Sequence, residues 1–118
     1  MTIKYFIKNW RNIKEDIEFT EYEWIDISRH EYLEEEFIEK YQNKVDWYCV
    51  SKYQKLSEEF MKKYQNKVDW YCVSKCQKLS DVFIIKMNEY IDYHNLKYNK
   101  NIKHILYESI LGMNLLIL

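Results

Sequence analysis

The sequence is almost free of the residues that break helices or build tight turns. Its 118 residues include one glycine, Gly112, and neither proline nor alanine. Because the turns of a β-sandwich need glycine and proline, this composition argues against a turn-dense β-fold. Phosphate-binding and dinucleotide-binding loops need several glycines, so the same shortage argues against both.

Cysteine and histidine are also scarce, and their positions form no familiar site. The chain has three of each, at Cys49, Cys72, Cys76, His30, His94 and His104. An odd cysteine count does not fit a secreted disulfide framework, and no histidine has a zinc-site spacing from the cysteines. Nucleophilic catalysis would require a base beside a nucleophile and a preorganised oxyanion site, for which the sequence gives no pattern. We therefore predict no metal, no cofactor and no enzymatic activity.

The sequence also lacks a long apolar segment. Residues 1–10 have no apolar core of a signal peptide. The apolar stretch 105–118 is interrupted by Glu108 and Asn114 and is too short to span a bilayer. We predict a protein without a membrane span, in the reducing interior of a cell. We expect the apolar C-terminus to cover the end of the fold, with self-association through it as the alternative.

One segment is present twice, and the rest of the chain is organised around it. Residues 36–57 and 59–80 align at an offset of 23 residues and differ at three of 22 positions. An aromatic residue recurs at the same interval, at Trp24, Trp47, Trp70 and Tyr93. A fixed period of about 20–50 residues is typical of stacked repeats.

Each repeat carries the signals for two short helices. In the central repeat Asp46 can cap a first helix and Ser57 a second one, because their side chains accept hydrogen bonds from free N–H groups of the first turn. The acids at the first start are Glu23, Asp46, Asp69 and Asp92. Apolar pairs flank the starts as hydrophobic staples. These pairs are Tyr22/Ile27, Val45/Val50, Val68/Val73 and Ile91/Leu96 for the first helices, and Leu33/Ile38, Leu56/Met61, Leu79/Ile84 and Ile102/Tyr107 for the second.

The sequence thus predicts an all-α, solenoid-like stack of short two-helix repeats with helical caps at both ends. We expect one domain over residues 1–118. It consists of an N-terminal capping helix within 1–22 that starts at Thr2, repeats at 23–45, 46–68 and 69–91, and a degenerate repeat with a C-terminal capping helix at 92–118. The predicted repeat core comprises Trp24, Trp47, Trp70, Phe37, Phe60, Phe83, Leu33, Leu56 and Leu79.

The extended surfaces of stacked repeats commonly bind proteins, so we predict a non-enzymatic protein-interaction module or scaffold. Positions that differ between repeats are the candidate partner face. They are His30, Tyr48, Tyr53, Lys62, Tyr71 and Cys76. The sequence does not identify the partner.

Weak nucleic-acid binding along a lysine-rich edge is the first alternative. Lysines recur with the repeat, at Lys40, Lys44, Lys52, Lys55, Lys62, Lys63, Lys67, Lys75 and Lys78. An aligned row of them could follow a phosphate backbone. Against this, the net charge is -1 and the chain has two arginines, the residue type that makes bidentate phosphate contacts. A second alternative is a degenerate fragment of a longer repeat array with no role of its own.

The repeat itself resembles a viral one. The segment from Trp47 to Met61 reads WYCVSKYQKLSEEFM. It is similar to repeats in uncharacterised proteins of giant DNA viruses of amoebae, whose pattern is close to W-x-x-[IV]-S-x-x-Q-x-L-S-E-x-F-[IM]. The resemblance covers Trp24 to about Asp92 and weakens in the first repeat, at His30-Glu31 and Glu34. It implies a short-helix repeat protein of viral origin, which would meet its partners in the host cytoplasm, and it implies no activity.

Overall fold

Short helices follow one another along the chain. The computed structural model describes residues 1–102, and over these residues the protein is all helical, with eight α-helices, one 3-10 helix and no strand. The all-α prediction is therefore confirmed there, whereas the predicted C-terminal capping helix and the Ile102/Tyr107 pair extend beyond the described residues. In chain order the helices are α1 (Ile3–Asn9), α2 (Glu21–His30), α3 (Glu35–Lys40), α4 (Trp47–Tyr53), α5 (Glu58–Lys63), α6 (Trp70–Cys76), α7 (Asp81–Lys86) and α8 (Tyr93–Leu96), and the 3-10 helix Trp10–Asn12 follows α1.

The helices of the two near-identical repeats begin where the capping residues predict. The Asp46 carboxylate accepts a hydrogen bond from the Cys49 N–H at 2.8 Å, and the Ser57 hydroxyl accepts one from the Phe60 N–H at 3.1 Å. The same contact starts the next three helices, at Asp69, Ser80 and Asp92. Each acceptor satisfies a backbone donor that the helix leaves free, so these predicted caps are confirmed.

The first repeat begins differently from the prediction. Helix α2 is capped by Thr20, whose hydroxyl accepts from the Glu23 N–H at 3.2 Å, while the Glu23 carboxylate accepts from the Thr20 N–H at 3.0 Å. This is a capping box, in which the acid is the third helical residue and not the cap. Tyr22 consequently lies inside the first turn and is 84% exposed, so the predicted Tyr22/Ile27 staple is wrong.

The N-terminal segment is helical only in its first half. Thr2 caps α1 as predicted, through a 3.2 Å hydrogen bond from the Tyr5 N–H. However, helical structure ends at Asn12 and resumes at Glu21, so the prediction of one capping helix within residues 1–22 is wrong for the second half. Ile13 and Ile17 have helical spacing, yet they pack against the core from irregular backbone. Their spacing reflects burial rather than helix.

One hydrophobic core runs through the repeats within residues 1–102. Helix α4 packs between α2 and α6, and α6 packs in turn against α8. Seven of the predicted core residues are buried, namely Trp24, Phe37, Phe60, Phe83, Leu33, Leu56 and Leu79. Trp47 and Trp70 are half-buried at the edge of the core. Trp47 stacks on Phe60 with 6.3 Å between ring centroids, and Trp70 makes the equivalent contact with Phe83 at 6.3 Å.

Buried amide side chains join each repeat to the one before it. Gln54 Nε2 donates to the carbonyl oxygens of Ser28 and Glu31 at 2.9 and 2.7 Å, and its Oε1 accepts from the Leu33 N–H at 3.0 Å. Gln77 makes the same three bonds one repeat later, to Ser51, Gln54 and Leu56. We term Gln54, Gln77 and Asn99 the amide ladder. Because its members are buried and bonded, the ladder satisfies polar groups that would otherwise destabilise the interior.

Asn99, the last member of the amide ladder, and three serines complete this pattern. Asn99 Nδ2 donates to the carbonyl oxygens of Ser74 and Gln77, both at 2.8 Å, from a position one residue earlier than the period of 23 would give. The buried hydroxyls of three serines each accept a 2.9 Å hydrogen bond from the N–H of the next repeat's capping aspartate. They belong to Ser28, Ser51 and Ser74. Register between repeats is therefore fixed by specific bonds as well as by apolar contact.

Candidate functional site

A cleft of about 600 Å³ lies where the chain leaves helices α4 and α6. The last residues of these two helices and the loops that follow them form its walls, and Asn101 of the last repeat borders it. We term this cleft the basic groove. Its lining residues are Lys52, Tyr53, Gln54, Lys55, Leu56, Ser57, Cys76, Gln77, Lys78 and Asn101.

The repeated sequence Gln-Lys-Leu-Ser shapes both walls of the basic groove. In each wall the glutamine turns inward to the amide ladder and the leucine enters the hydrophobic core. The lysine between them, Lys55 or Lys78, is consequently left exposed. Folding of the repeat thus places one ammonium group at the same point of each wall.

The electrostatic character of the basic groove is positive. Lys52, Lys55 and Lys78 line it, and no acidic side chain of residues 1–102 does so. The nearby Glu35 carboxylate is engaged elsewhere, because it accepts hydrogen bonds from the Ser57 backbone N–H at 2.6 Å and from the Ser57 hydroxyl at 2.9 Å. Since lysine stays protonated near neutral pH, the groove attracts anionic groups.

Tyr53 supplies the aromatic surface of the basic groove and is 42% exposed. The Arg29 guanidinium and the Lys52 ammonium each lie 5.2 Å from the centroid of its ring, and the Lys52 ammonium lies 5.6 Å from the Tyr48 ring. Hydrogen bonding to Tyr53 also raises the pKa of Lys52. Cation–π contacts of this kind hold the charged side chains against the rings before any ligand arrives.

The structure brings together only part of the predicted partner face. Tyr53 and Cys76 line the basic groove, and Tyr48 adjoins it through Lys52. Tyr71 is 52% exposed at the position on α6 that Tyr48 occupies on α4. The other two predicted residues, Lys62 and His30, do not line the groove.

Lys62 and His30 lie in separate surroundings. Lys62 belongs to helix α5, where contact with the Lys86 ammonium lowers its pKa. His30 ends α2 and lines a cleft of about 500 Å³ beside the N-terminus. The variable positions of the repeats therefore do not form a single surface.

Arg29 and Asn101 were not among the predicted site residues, although Arg29 contacts Tyr53 and Asn101 lines the groove. Arg29 occupies in the first repeat the position of Lys52 in the second, so alignment at 23 residues is the signal that could have found it. Asn101 belongs to the divergent last repeat, where the period is shifted by one residue at Asn99. Nothing in the local sequence indicates its place beside the groove.

The repeating lysines are also distributed over several surfaces. Lys52, Lys55 and Lys78 line the basic groove, whereas Lys40 and Lys44 line a cleft near the N-terminus. The Lys63 ammonium pairs with the Glu39 carboxylate at 2.5 Å across the α3–α5 contact. These lysines therefore do not form the single edge that the nucleic-acid alternative requires.

The cysteines offer little chemistry to this site. Cys49 and Cys72 are buried free thiols, and desolvation raises the pKa of both to about 11. Their reactive thiolate forms are therefore rare at neutral pH. Within the described part of the chain, no three His, Cys, Asp or Glu side chains cluster in a way that could hold a metal ion. No helix there combines the length and the apolar character needed to cross a membrane.

Comparison with known proteins found no match to this chain among protein-family models, curated proteins or solved structures. The geometry of the basic groove is therefore the basis on which a function can be inferred.

Proposed function

We propose that the protein is a non-enzymatic interaction module whose basic groove binds an acidic segment of a partner protein. One observation carries this proposal: three lysines and an exposed tyrosine line the groove without a carboxylate among the described residues. Carboxylates of an extended segment would meet Lys52, Lys55 and Lys78. Charge complementarity of this kind speeds association and selects the partner.

We further infer that the repeats form a solenoid-like stack that presents this groove. The inference is supported by the serial contacts from α2 to α8 and by the amide ladder between successive repeats. The principal-axis extents of 53 × 22 × 19 Å fit such an elongated arrangement. In a stack, each repeat is positioned by its neighbours, so the two walls of the groove keep a fixed separation.

A binding experiment with matched lysine variants tests the proposal. A fluorescently labelled peptide rich in Asp and Glu is titrated with the wild-type protein and with the double variant Lys55→Gln/Lys78→Gln. The double variant Lys4→Gln/Lys8→Gln changes the net charge equally but acts on α1, outside the groove. We expect the groove variant to bind about tenfold more weakly and the control to bind as wild type.

The proposal fails if both double variants lose affinity equally, because net charge alone would then explain binding. It also fails if the acidic peptide and its Gln/Asn counterpart bind alike, because the lysines would then recognise no charge.

Single-stranded nucleic acid is the second candidate. The exposed rings of Tyr48, Tyr53 and Tyr71 beside Lys52 favour it, because bases stack on such rings while ammonium groups contact the phosphates. Titration with an oligonucleotide under the same salt conditions decides between the candidates. Tighter binding of the oligonucleotide than of the acidic peptide would favour nucleic acid and contradict the protein-partner proposal.

We also infer from the repeat resemblance that the protein is viral and that its partner is a host protein in the cytoplasm. Affinity capture from expressing host cells, with the wild type and the Lys55→Gln/Lys78→Gln variant in parallel, tests this inference. A host protein that is captured by the wild type and lost with the variant supports it. Equal recovery with both forms contradicts it.

A further inference from the structure

The residue that follows each member of the amide ladder is an exposed lysine. These lysines are Lys55, Lys78 and Lys100, and we term them the lysine row. Every ladder side chain is buried and bonded to the preceding repeat, so each lysine is carried at an equivalent point of its own repeat. The row begins in the second repeat, because the equivalent position of the first repeat is Tyr32, which follows the acidic Glu31.

The lysine row extends past the basic groove. Lys55 and Lys78 line the groove itself. Lys100 stands between Asn99, whose side chain is fixed in the amide ladder, and Asn101, which borders the groove. The positive charge of the groove therefore continues into the last repeat.

An aromatic ring with a cation against it recurs beside the lysine row. The Lys52 ammonium lies 5.2 Å from the centroid of the Tyr53 ring, and the Lys97 ammonium lies 5.9 Å from that of Tyr98. Tyr53 is 42% exposed and Tyr98 is 54% exposed. Each tyrosine directly precedes a member of the amide ladder, as each lysine of the row directly follows one. The row consequently has exposed aromatic surface in its first and its last repeat.

The spacing of the lysine row follows from helix packing. Helices α4, α6 and α8 pack in series, and packed neighbouring helices lie about 8–10 Å apart. The row should therefore present one charge about every 8–10 Å. A polyproline-II segment has three residues per turn and rises about 3.1 Å per residue, so every third side chain lies on the same face, about 9 Å from the last. A β-strand, in contrast, places every third side chain on the opposite face.

We propose that the basic groove and the lysine row bind a polyproline-II segment with a carboxylate at every third residue. This inference rests on the proposed function and specifies its ligand. The three carboxylates face Lys55, Lys78 and Lys100, and the residues between them contact Tyr53 and Tyr98. Grooves that recognise polyproline-II segments are commonly lined by aromatic rings, and the preformed backbone loses little conformational entropy on binding.

Two peptides of equal composition and charge test the spacing. One has the sequence Pro-Pro-Glu three times followed by Pro-Pro, and the other has three consecutive Glu between two blocks of four Pro. Both have capped termini, and a third peptide replaces each Glu of the first by Gln. Isothermal titration calorimetry measures their affinities. We expect the spaced-acid peptide to bind about fivefold more tightly than the block-acid peptide, and the Gln peptide to bind most weakly.

Matched lysine variants show whether the third member of the row takes part. Lys100→Gln should weaken binding of the spaced-acid peptide about two- to fivefold, as expected for one exposed charge pair. Lys67→Gln is the control, because Lys67 lies outside the groove and its ammonium donates to the Asn43 side chain at 3.2 Å. This variant should bind as wild type.

Equal affinity for the spaced-acid and block-acid peptides overturns the inference, as do equal effects of the two lysine variants. The proposed function survives either result if both acidic peptides still bind more tightly than the Gln peptide and lose affinity in Lys55→Gln/Lys78→Gln. Equal binding of the Gln peptide overturns the proposed function together with the inference.

Discussion

Gln77 shows how a single residue joins two repeats. Its side chain is 4% exposed and bonds to two carbonyl oxygens and one N–H of the preceding repeat. When one partner of a buried hydrogen bond is removed, the other group stays out of contact with water and has no partner. This lowers the stability of the fold by more than the hydrogen bond itself contributes. The stability of the fold should therefore depend on this amide far more than on an exposed one.

We expect Gln77→Leu to lower the free energy of unfolding by about 2–4 kcal/mol, because the Leu56 N–H and two carbonyl groups lose their partner. Gln65→Leu is the matched control, since the Gln65 side chain makes no hydrogen bond within residues 1–102. Its effect should stay within about 0.5 kcal/mol. Urea denaturation followed by circular dichroism measures both. Equal losses in the two variants would contradict the role of the amide ladder.

The cysteines give a second prediction for individual residues. Because burial raises the pKa of Cys49 and Cys72 to about 11, the thiolate forms that react are rare at pH 8 in the folded protein. Cys76 is half-buried on the wall of the basic groove. We expect iodoacetamide to modify Cys76 first in the folded protein and all three cysteines at similar rates in urea. Peptide mass spectrometry measures the order, and modification of Cys49 or Cys72 first would contradict the structure.

The amide ladder could not be predicted from local sequence. Gln54 and Gln77 are polar residues in loops, and their partners lie 21 to 26 residues earlier in the chain. A loop glutamine is normally exposed, so local reasoning places it on the surface. The indication that was available is the recurrence of the same glutamine and serine at an offset of 23 residues.

At the scale of secondary-structure elements, successive second helices are linked by charged side chains. Lys63 of α5 pairs with Glu39 of α3 at 2.5 Å. One repeat later, Lys62 occupies the position of Glu39 and Lys86 that of Lys63. The attractive pair is thereby replaced by two ammonium groups, and contact with Lys86 lowers the pKa of Lys62.

We expect Lys62→Glu to stabilise the protein, because it restores between α5 and α7 the pairing seen between α3 and α5. Lys62→Gln should stabilise less, since it removes the repulsion without adding an attraction. Both groups are exposed, so the gain should be small and should decrease as salt screens the charges. Thermal unfolding at low and high salt measures it. A lower unfolding temperature for Lys62→Glu at low salt would contradict this contact.

The starts of helices α4 to α8 were predictable from sequence, whereas the start of α2 and the backbone of the N-terminal segment were not. An aspartate or serine bonds to an N–H three residues later, as at Asp46 and Ser57, so the signal and its effect are adjacent. Ile13 and Ile17 obey helical spacing, yet their environment is set by the first repeat, against which they pack. Periodicity reports which residues are buried and does not by itself determine the backbone that buries them.

For the molecule as a whole, stability should come from contacts between successive repeats. Among residues 1–102 the helices have ten residues or fewer, and α3, α5 and α7 have six each. Helices of this length are unstable alone, because nucleation is costly. The basic groove depends on the same contacts, since its walls belong to adjacent repeats. Its lysines and Tyr53 were evident in the sequence, but their convergence in one cleft required the structure.

Deletion of one whole repeat tests this account most directly. Removal of residues 46–68 joins Val45 to Asp69, which recreates the Val-Asp step of the repeat and allows Gln77 to bond where Gln54 does. A control deletion of residues 46–56 removes α4 alone. Circular dichroism with urea unfolding should show that the first deletion keeps helical structure and a cooperative transition at lower urea, while the second loses both. An unfolded whole-repeat deletion, or equal behaviour of the two chains, would contradict a stack of interchangeable repeats.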